Sequence, residues 1–175
     1  VTLDRAAATA AAGAPLAPEP DQFVLARIVQ RTDGDTLQRI ETWVSADGKR
    51  QGRMTIDSGA NAGDYPIAPY DPSSGLRNAP YEVVAALPTD PAALLERLKA
   101  DPLVAVERER NGMSAEVGVW SLLRELLDDA PPAQKAALLQ AAKLVPGITY
   151  VADSKDALGR PGEAVALTDP RLGEI

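Results

Sequence analysis

Two Asp-Gly pairs, Asp33-Gly34 and Asp47-Gly48, divide residues 22–56 into three runs of strand-forming residues. Gly accepts the positive φ of a type I′ hairpin turn and Asp tolerates it, so each pair predicts a tight reversal. The result is a three-stranded antiparallel meander. Its first run places Phe23, Leu25, Arg27 and Val29 on one side and Val24, Ala26, Ile28 and Gln30 on the other. In the second run, Leu37, Arg39, Glu41, Trp43 and Ser45 share a face, opposite Gln38, Ile40, Thr42 and Val44. The face with Ile28, Ile40 and Val44 is the expected core side, which leaves Trp43 packed in a mixed environment beside Arg39 and Glu41. An isolated hairpin is marginal in water, so the meander requires a covering layer.

That layer is legible downstream. From Thr89 the apolar period changes from two to nearer 3.6. TDPAALLERLKAD carries a cap at Thr89 or Asp90, an early Pro91, and Leu94, Leu95 and Leu98 on one side. A second helix is expected from Ser114, its stripe made of Val117, Trp120, Leu123, Leu126 and Leu127. A third is expected in PPAQKAALLQAAKLVPG, with Asp128 and Asp129 at its beginning, because a helix C-terminus disfavours acids. LVAVERERNG, with alternating charge signs, reads as a connector or short strand. YEVVAALP reads as a strand or as the lead into the helices.

Around this centre, residues 1–21 predict an Ala-rich helix, with Val1, Leu3, Ala7 and Ala10 on its apolar face. Gly13 stops it, and a Pro-rich strap follows. Residues 57–80 predict a long loop pinned by tyrosines, with a lid as the alternative. Residues 147–175 return to a β pattern, with strands over Ile148–Ala152 and Ala164–Thr168 and a turn through Asp156, Leu158, Gly159 and Arg160. The expected fold is a single α+β domain. A curved antiparallel sheet, made of the meander and the C-terminal strands, lies under a layer of about three helices at residues 89–146.

Composition narrows the function. The chain has 175 residues, no Cys and no His, which removes thiol catalysis, Ser-His-Asp triads and most zinc sites. A net charge of −7 with dispersed cations argues against nucleic acid. The acid pairs Asp33/Asp35, Glu107/Glu109 and Asp128/Asp129 read as turn chemistry or solvated faces rather than a glycosidase pair. DGDT is too short for a calcium loop, and Asn61 and Gly63 lack a phosphate-loop lysine. No enzyme, metal or cofactor is expected. The start at Val1 implies a mature or cut fragment, and the short final segment after PRLGE implies further strands beyond it.

In order along the chain stand LDRAA at residues 3–7, QFV at 22–24, ETWVSADG at 41–48, LPTDPAALL at 87–95, LLRELL at 122–127, PPAQKAAL at 131–138, PGI at 146–148 and DALGRPG at 156–162. Through these the chain resembles the extracytoplasmic part of an uncharacterised family of actinobacterial proteins anchored by a single membrane helix. The resemblance implies a membrane tether upstream. The layout is also similar to the lipoprotein-carrier superfamily of LolA-like carriers and RseB-like regulators, which implies a half-open sheet with an apolar concavity under helices.

Two functions follow as expectations. The first is a non-enzymatic binding domain for a hydrophobic ligand (lipid, lipoprotein or peptide) in a sheet-helix groove. Its lining would be Val24, Ile28, Ile40, Val44, Leu94, Leu98, Trp120 and Leu123. The second is a regulatory sensor domain acting through protein contacts. An enzyme on cell-wall or lipid substrates ranks third. An unfilled apolar concavity favours the first; a filled core with an exposed patch on residues 57–80 favours the second.

Overall fold

The structure, a computed structural model, describes residues 2–32, 36–169 and 173–174. The expected Asp33-Gly34 turn, the Asp33/Asp35 pair, Val1 and most of PRLGE lie outside the described residues, as does the side chain of Glu107. The meander forms as β1 (Phe23–Thr32), β2 (Thr36–Ser45) and β3 (Gly52–Ile56) and gains a fourth strand, β4 (Gly63–Ile67). All pair antiparallel in the order β1-β2-β3-β4. The register sets Ile28 opposite Ile40 and Ile40 opposite Ile56, so these three share a face. The opposite face is laced with ion pairs: Arg27–Glu41 at 2.8 Å, Arg53–Asp64 at 2.9 Å and Arg39–Asp57 at 3.4 Å. Trp43 lies on that face, with the Arg53 guanidinium 5.7 Å from its ring centre, an attraction of about 0.5–1 kcal/mol at such exposed sites.

Two local expectations are corrected here. Asp47-Gly48 is not a two-residue hairpin, because β2 ends at Ser45 and β3 begins at Gly52. Tertiary bonds hold the wider connection. Ala46 is fully buried; its N–H donates to the Gln22 carbonyl at 3.0 Å and its carbonyl accepts from the Glu82 N–H at 3.2 Å. Gly48, at φ +72°, sits so close to Pro80 and Tyr70 that a Cβ would approach them to 2.8 and 2.9 Å. Residues 57–80 are not one loop but contain β4 and a 3-10 turn at Pro72–Ser74. Pro66 fits β4 because an edge strand leaves one side without ladder bonds. The tyrosines pin the region as expected. The hydroxyls of Tyr65, Tyr70 and Tyr81 donate to the carbonyls of Asn61, Gly75 and Leu16.

The helices are α1 (Thr2–Ala11), α2 (Tyr81–Ala85), α3 (Pro91–Lys99), α4 (Pro102–Asn111), α5 (Ala115–Asp129) and α6 (Pro132–Ala142). Side-chain caps start three of them. Asp90 accepts from the Ala93 N–H at 2.8 Å, Asp101 from Leu103 at 3.0 Å and Ser114 from Val117 at 3.3 Å. Residues 89–146 hold four helices, α3–α6, where about three were expected, and α2 stands just ahead of them. LVAVERERNG is a helix, not a connector: the Asp101-Pro102 start and Gly112 in the left-handed region at φ +61° bracket it. Tyr81–Ala85 is likewise helical. Asp128 and Asp129 close α5 instead of opening α6. Pro131, in extended backbone ahead of α6, forces the break after them.

The C-terminal strands β5 (Ile148–Lys155), β6 (Pro161–Asp169) and β7 (Gly173–Glu174) run longer than expected. Their turn forms where expected, around Asp156, whose carboxylate accepts from the N–H groups of Leu158 and Arg160, both at 2.9 Å. Among the described residues they pair with one another rather than with the meander, giving two antiparallel sheets in an α+β fold. Helix α5 touches both β1 and β6, and Arg31 reaches from β1 to the Ala157 carbonyl at 2.8 Å. The core lies within the helices and against β6, with Leu94, Leu98, Leu122, Leu123 and Leu138 without exposure and Leu167 at 1%. Each such leucine stabilises by roughly 1.5–3 kcal/mol.

Candidate binding groove

The period of two along β1 and β2 turns Val24, Ala26 and Ile28, and Ile40, Thr42 and Val44, towards the helices. Met54 and Ile56 of β3 continue this face. Val24 and Val44 are buried, but Ala26, Ile28, Ile40, Met54 and Ile56 are only half-buried. Beneath the β1–β2 part of this face is a cleft of about 320 Å³. Ala26, Ile28, Thr42 and Val44 form its sheet wall; Leu76, Ala79, Val84 and Leu126 form its helical wall. Its polar end carries Arg77, Asn78, Glu125, Asp128 and Asp129. A second crevice of about 300 Å³ adjoins at the same two aspartates and runs between Val24, the C-terminal end of α1, Leu16 and Lys135.

The eight residues expected to line a groove divide cleanly. Ile28 and Val44 line the cleft, Val24 lines the adjoining crevice, and Ile40 pairs with Ile28 on the same face. Leu94, Leu98 and Leu123 have no exposure, and with Trp120 they belong to the packed helical core. Among the described residues the Trp120 indole N–H has no acceptor, a deficit of about 1–3 kcal/mol. The helical wall comes instead from Leu76 and Ala79, before α2, from Val84 in α2 and from Leu126 in α5. Leu126 was visible in the α5 stripe; the other three stand in a segment with no apolar period of its own.

The acid pair at the seam is electrostatically costly. Burial, then the neighbouring Asp128 and Glu125, push the Asp129 carboxyl up from 3.8 to about 6, against the pull of Lys135. Burial also raises Asp128, against Lys135 and Arg124. Their place at the C-terminus of α5 adds the unfavourable end of the helix dipole. The unfolded chain ionises Asp129 first, so its contribution is fully present below about pH 4 and is lost as the pH rises through 6. Asp129→Asn is therefore expected to stabilise at pH 7 by on the order of 2 kcal/mol and to change nothing at pH 4. Urea unfolding of both proteins at the two pH values measures the difference; equal stability at pH 7 refutes it.

Among the described residues, no three His, Cys, Asp or Glu side chains are placed to hold a metal ion. What the seam offers is an apolar concavity with a charged end. No protein-family model matches this chain, and no curated protein or solved structure matches it at a significant level.

Proposed function

We propose that this chain is a non-enzymatic, extracytoplasmic binding domain that holds a hydrophobic ligand between the inner face of β1 and β2 and the end of α5. The ligand class is a lipid, a lipoprotein acyl chain or an apolar peptide. One observation carries the reading: Ala26, Ile28 and Thr42 on the inner face of the sheet are only half-buried, above a cleft of about 320 Å³. Binding sites are concave and mostly apolar, with a few polar groups that orient the ligand. Glu125, Asp128, Asp129 and Arg77 would serve that role here. Among the described residues no helix is long and apolar enough to cross a membrane; the tether proposed for the intact molecule lies upstream.

The test is denaturing mass spectrometry of an organic extract from detergent-free protein. A stoichiometric lipid is expected from the wild type. It should be lost in Ala26→Trp, which fills the cleft from its half-buried sheet wall. A clean wild-type extract, together with no uptake from added lipid vesicles, overturns the reading.

A second reading is a regulatory sensor acting through protein contacts. The helical core is filled at Leu94, Leu98 and Leu123, while Phe23 and Tyr65 present their rings to solvent at 42% and 38% exposure. Cross-linking of the membrane-tethered protein, with Tyr65→Ser as the control, separates this reading from the first.

A further inference from the structure

At the opposite end of α1 from the groove lies a larger cavity of about 470 Å³. It opens between the first turn of α1, the end of α6 and the strands β5 and β6. Its floor is apolar: Leu3, Ile148 and Val165, all packed against the helical core. Its rim is cationic and hydroxylic. Arg5 and Lys143 stand on it, with Tyr150 beside them at 52% exposure.

One carboxylate already shows what this rim accepts. Arg5 donates to Glu163 at 2.5 Å, and hydrogen bonds from Tyr150 and Thr2, with that Arg5 contact, hold the Glu163 carboxyl below the usual range. Lys143 is paired with Asp4 at 2.6 Å. Both ion pairs lie at the surface, where such pairs contribute little because water serves the separated charges nearly as well. The Glu163 side chain, 37% exposed on β6, can turn to solvent at small cost. An apolar chain on Leu3, Ile148 and Val165 gains burial that Glu163 cannot supply.

We propose that this cavity binds a small amphiphile with a carboxylate head, such as a medium-chain fatty acid. Its chain lies on Leu3, Ile148 and Val165, and its head takes the place of Glu163 at Arg5. Glu163 then acts as a built-in competitor that keeps the rim paired when the site is empty. The site is separate from the sheet-helix groove and does not rest on the function proposed for it.

The probe is decanoate, titrated into the full chain and followed by amide chemical shifts. Saturable binding is expected, with the largest shifts at Ile148, Thr149 and Val165. Glu163→Gln, which removes the competing charge, is expected to tighten binding about threefold or more. Arg5→Glu, at an exposed position, is expected to weaken it about tenfold or more. Ala26→Trp, in the groove, is expected to leave the affinity unchanged. Decanol, which lacks the acid, is expected to bind more weakly than decanoate. No saturation in the millimolar range overturns the proposal. So does Glu163→Gln that fails to tighten binding, Arg5→Glu that fails to weaken it, decanol that matches decanoate, or decanoate binding lost in Ala26→Trp.

Discussion

Replacing Asp101 with Ala is expected to cost about 4 kcal/mol and to lower the thermal midpoint by roughly 10 °C. The Asp101 side chain is fully buried, and three donors meet its carboxylate. It accepts from the Leu103 N–H at 3.0 Å, from the Leu76 N–H at 3.1 Å and from Arg97 at 3.2 Å. Truncation strands the buried Leu76 N–H away from water and removes the cap of α4. The effect also reaches the groove, because Leu76 belongs to its helical wall. Gly75, at φ +80°, lies so close that a Cβ there would come within 2.2 Å of the Asp101 carboxylate. Asp101 thus locks residues 75–76 to the start of α4. Arg97→Gln is expected to cost less than Asp101→Ala, since Leu76 and Leu103 still serve the carboxylate. If the two variants melt alike in calorimetry, the ion pair and not the backbone bonds carries the effect.

Leu98→Ala is expected to cost about 3–4 kcal/mol, whereas Ile28→Ala should cost only about 1. Leu98 has no exposure and sits among the leucines of α3, α5 and α6, where a lost side chain leaves a void. Ile28 is half-buried beside a cleft that already lacks atoms on one side, so fewer contacts are forfeited. Chemical denaturation of both variants tests the division between core and groove directly. Equal losses would make the sheet face an ordinary core and remove the basis of the binding proposal.

That division also marks how far the sequence could be read. The alternation in β1 and β2 identified the inner face correctly, because a period of two depends only on neighbours along the chain. Val24, Ile28 and Val44 followed from it. Leu94, Leu98, Trp120 and Leu123 lie on equally apolar helical stripes. Which part of a stripe meets another helix and which meets an opening depends on how α3, α5 and α6 cross. Periodicity carries no such information. The same limit hid Leu76 and Val84, which enter the groove through tertiary bonds at Asp101 and Ala46. Helix α4 was obscured differently: its alternating charges resembled a solvated connector, while its start at Asp101-Pro102 and its stop at Gly112 were the more physical signal.

Helix α1 packs mainly on α6, and its Arg5 pairs with Glu163, 158 residues away. On the ribosome α1 is made well before either partner exists. At about 5–20 residues per second it waits on the order of ten seconds for β6 to appear. The meander, whose strands pair with their sequence neighbours, can form during that interval. The composition of α1 suits the delay: five of its ten residues are alanine, and Ala7 is its one buried residue among those described. It therefore offers little adhesive surface to other nascent chains. Its docking on α6 waits for residues 132–142, and the Arg5–Glu163 pair cannot form until β6 has been synthesised.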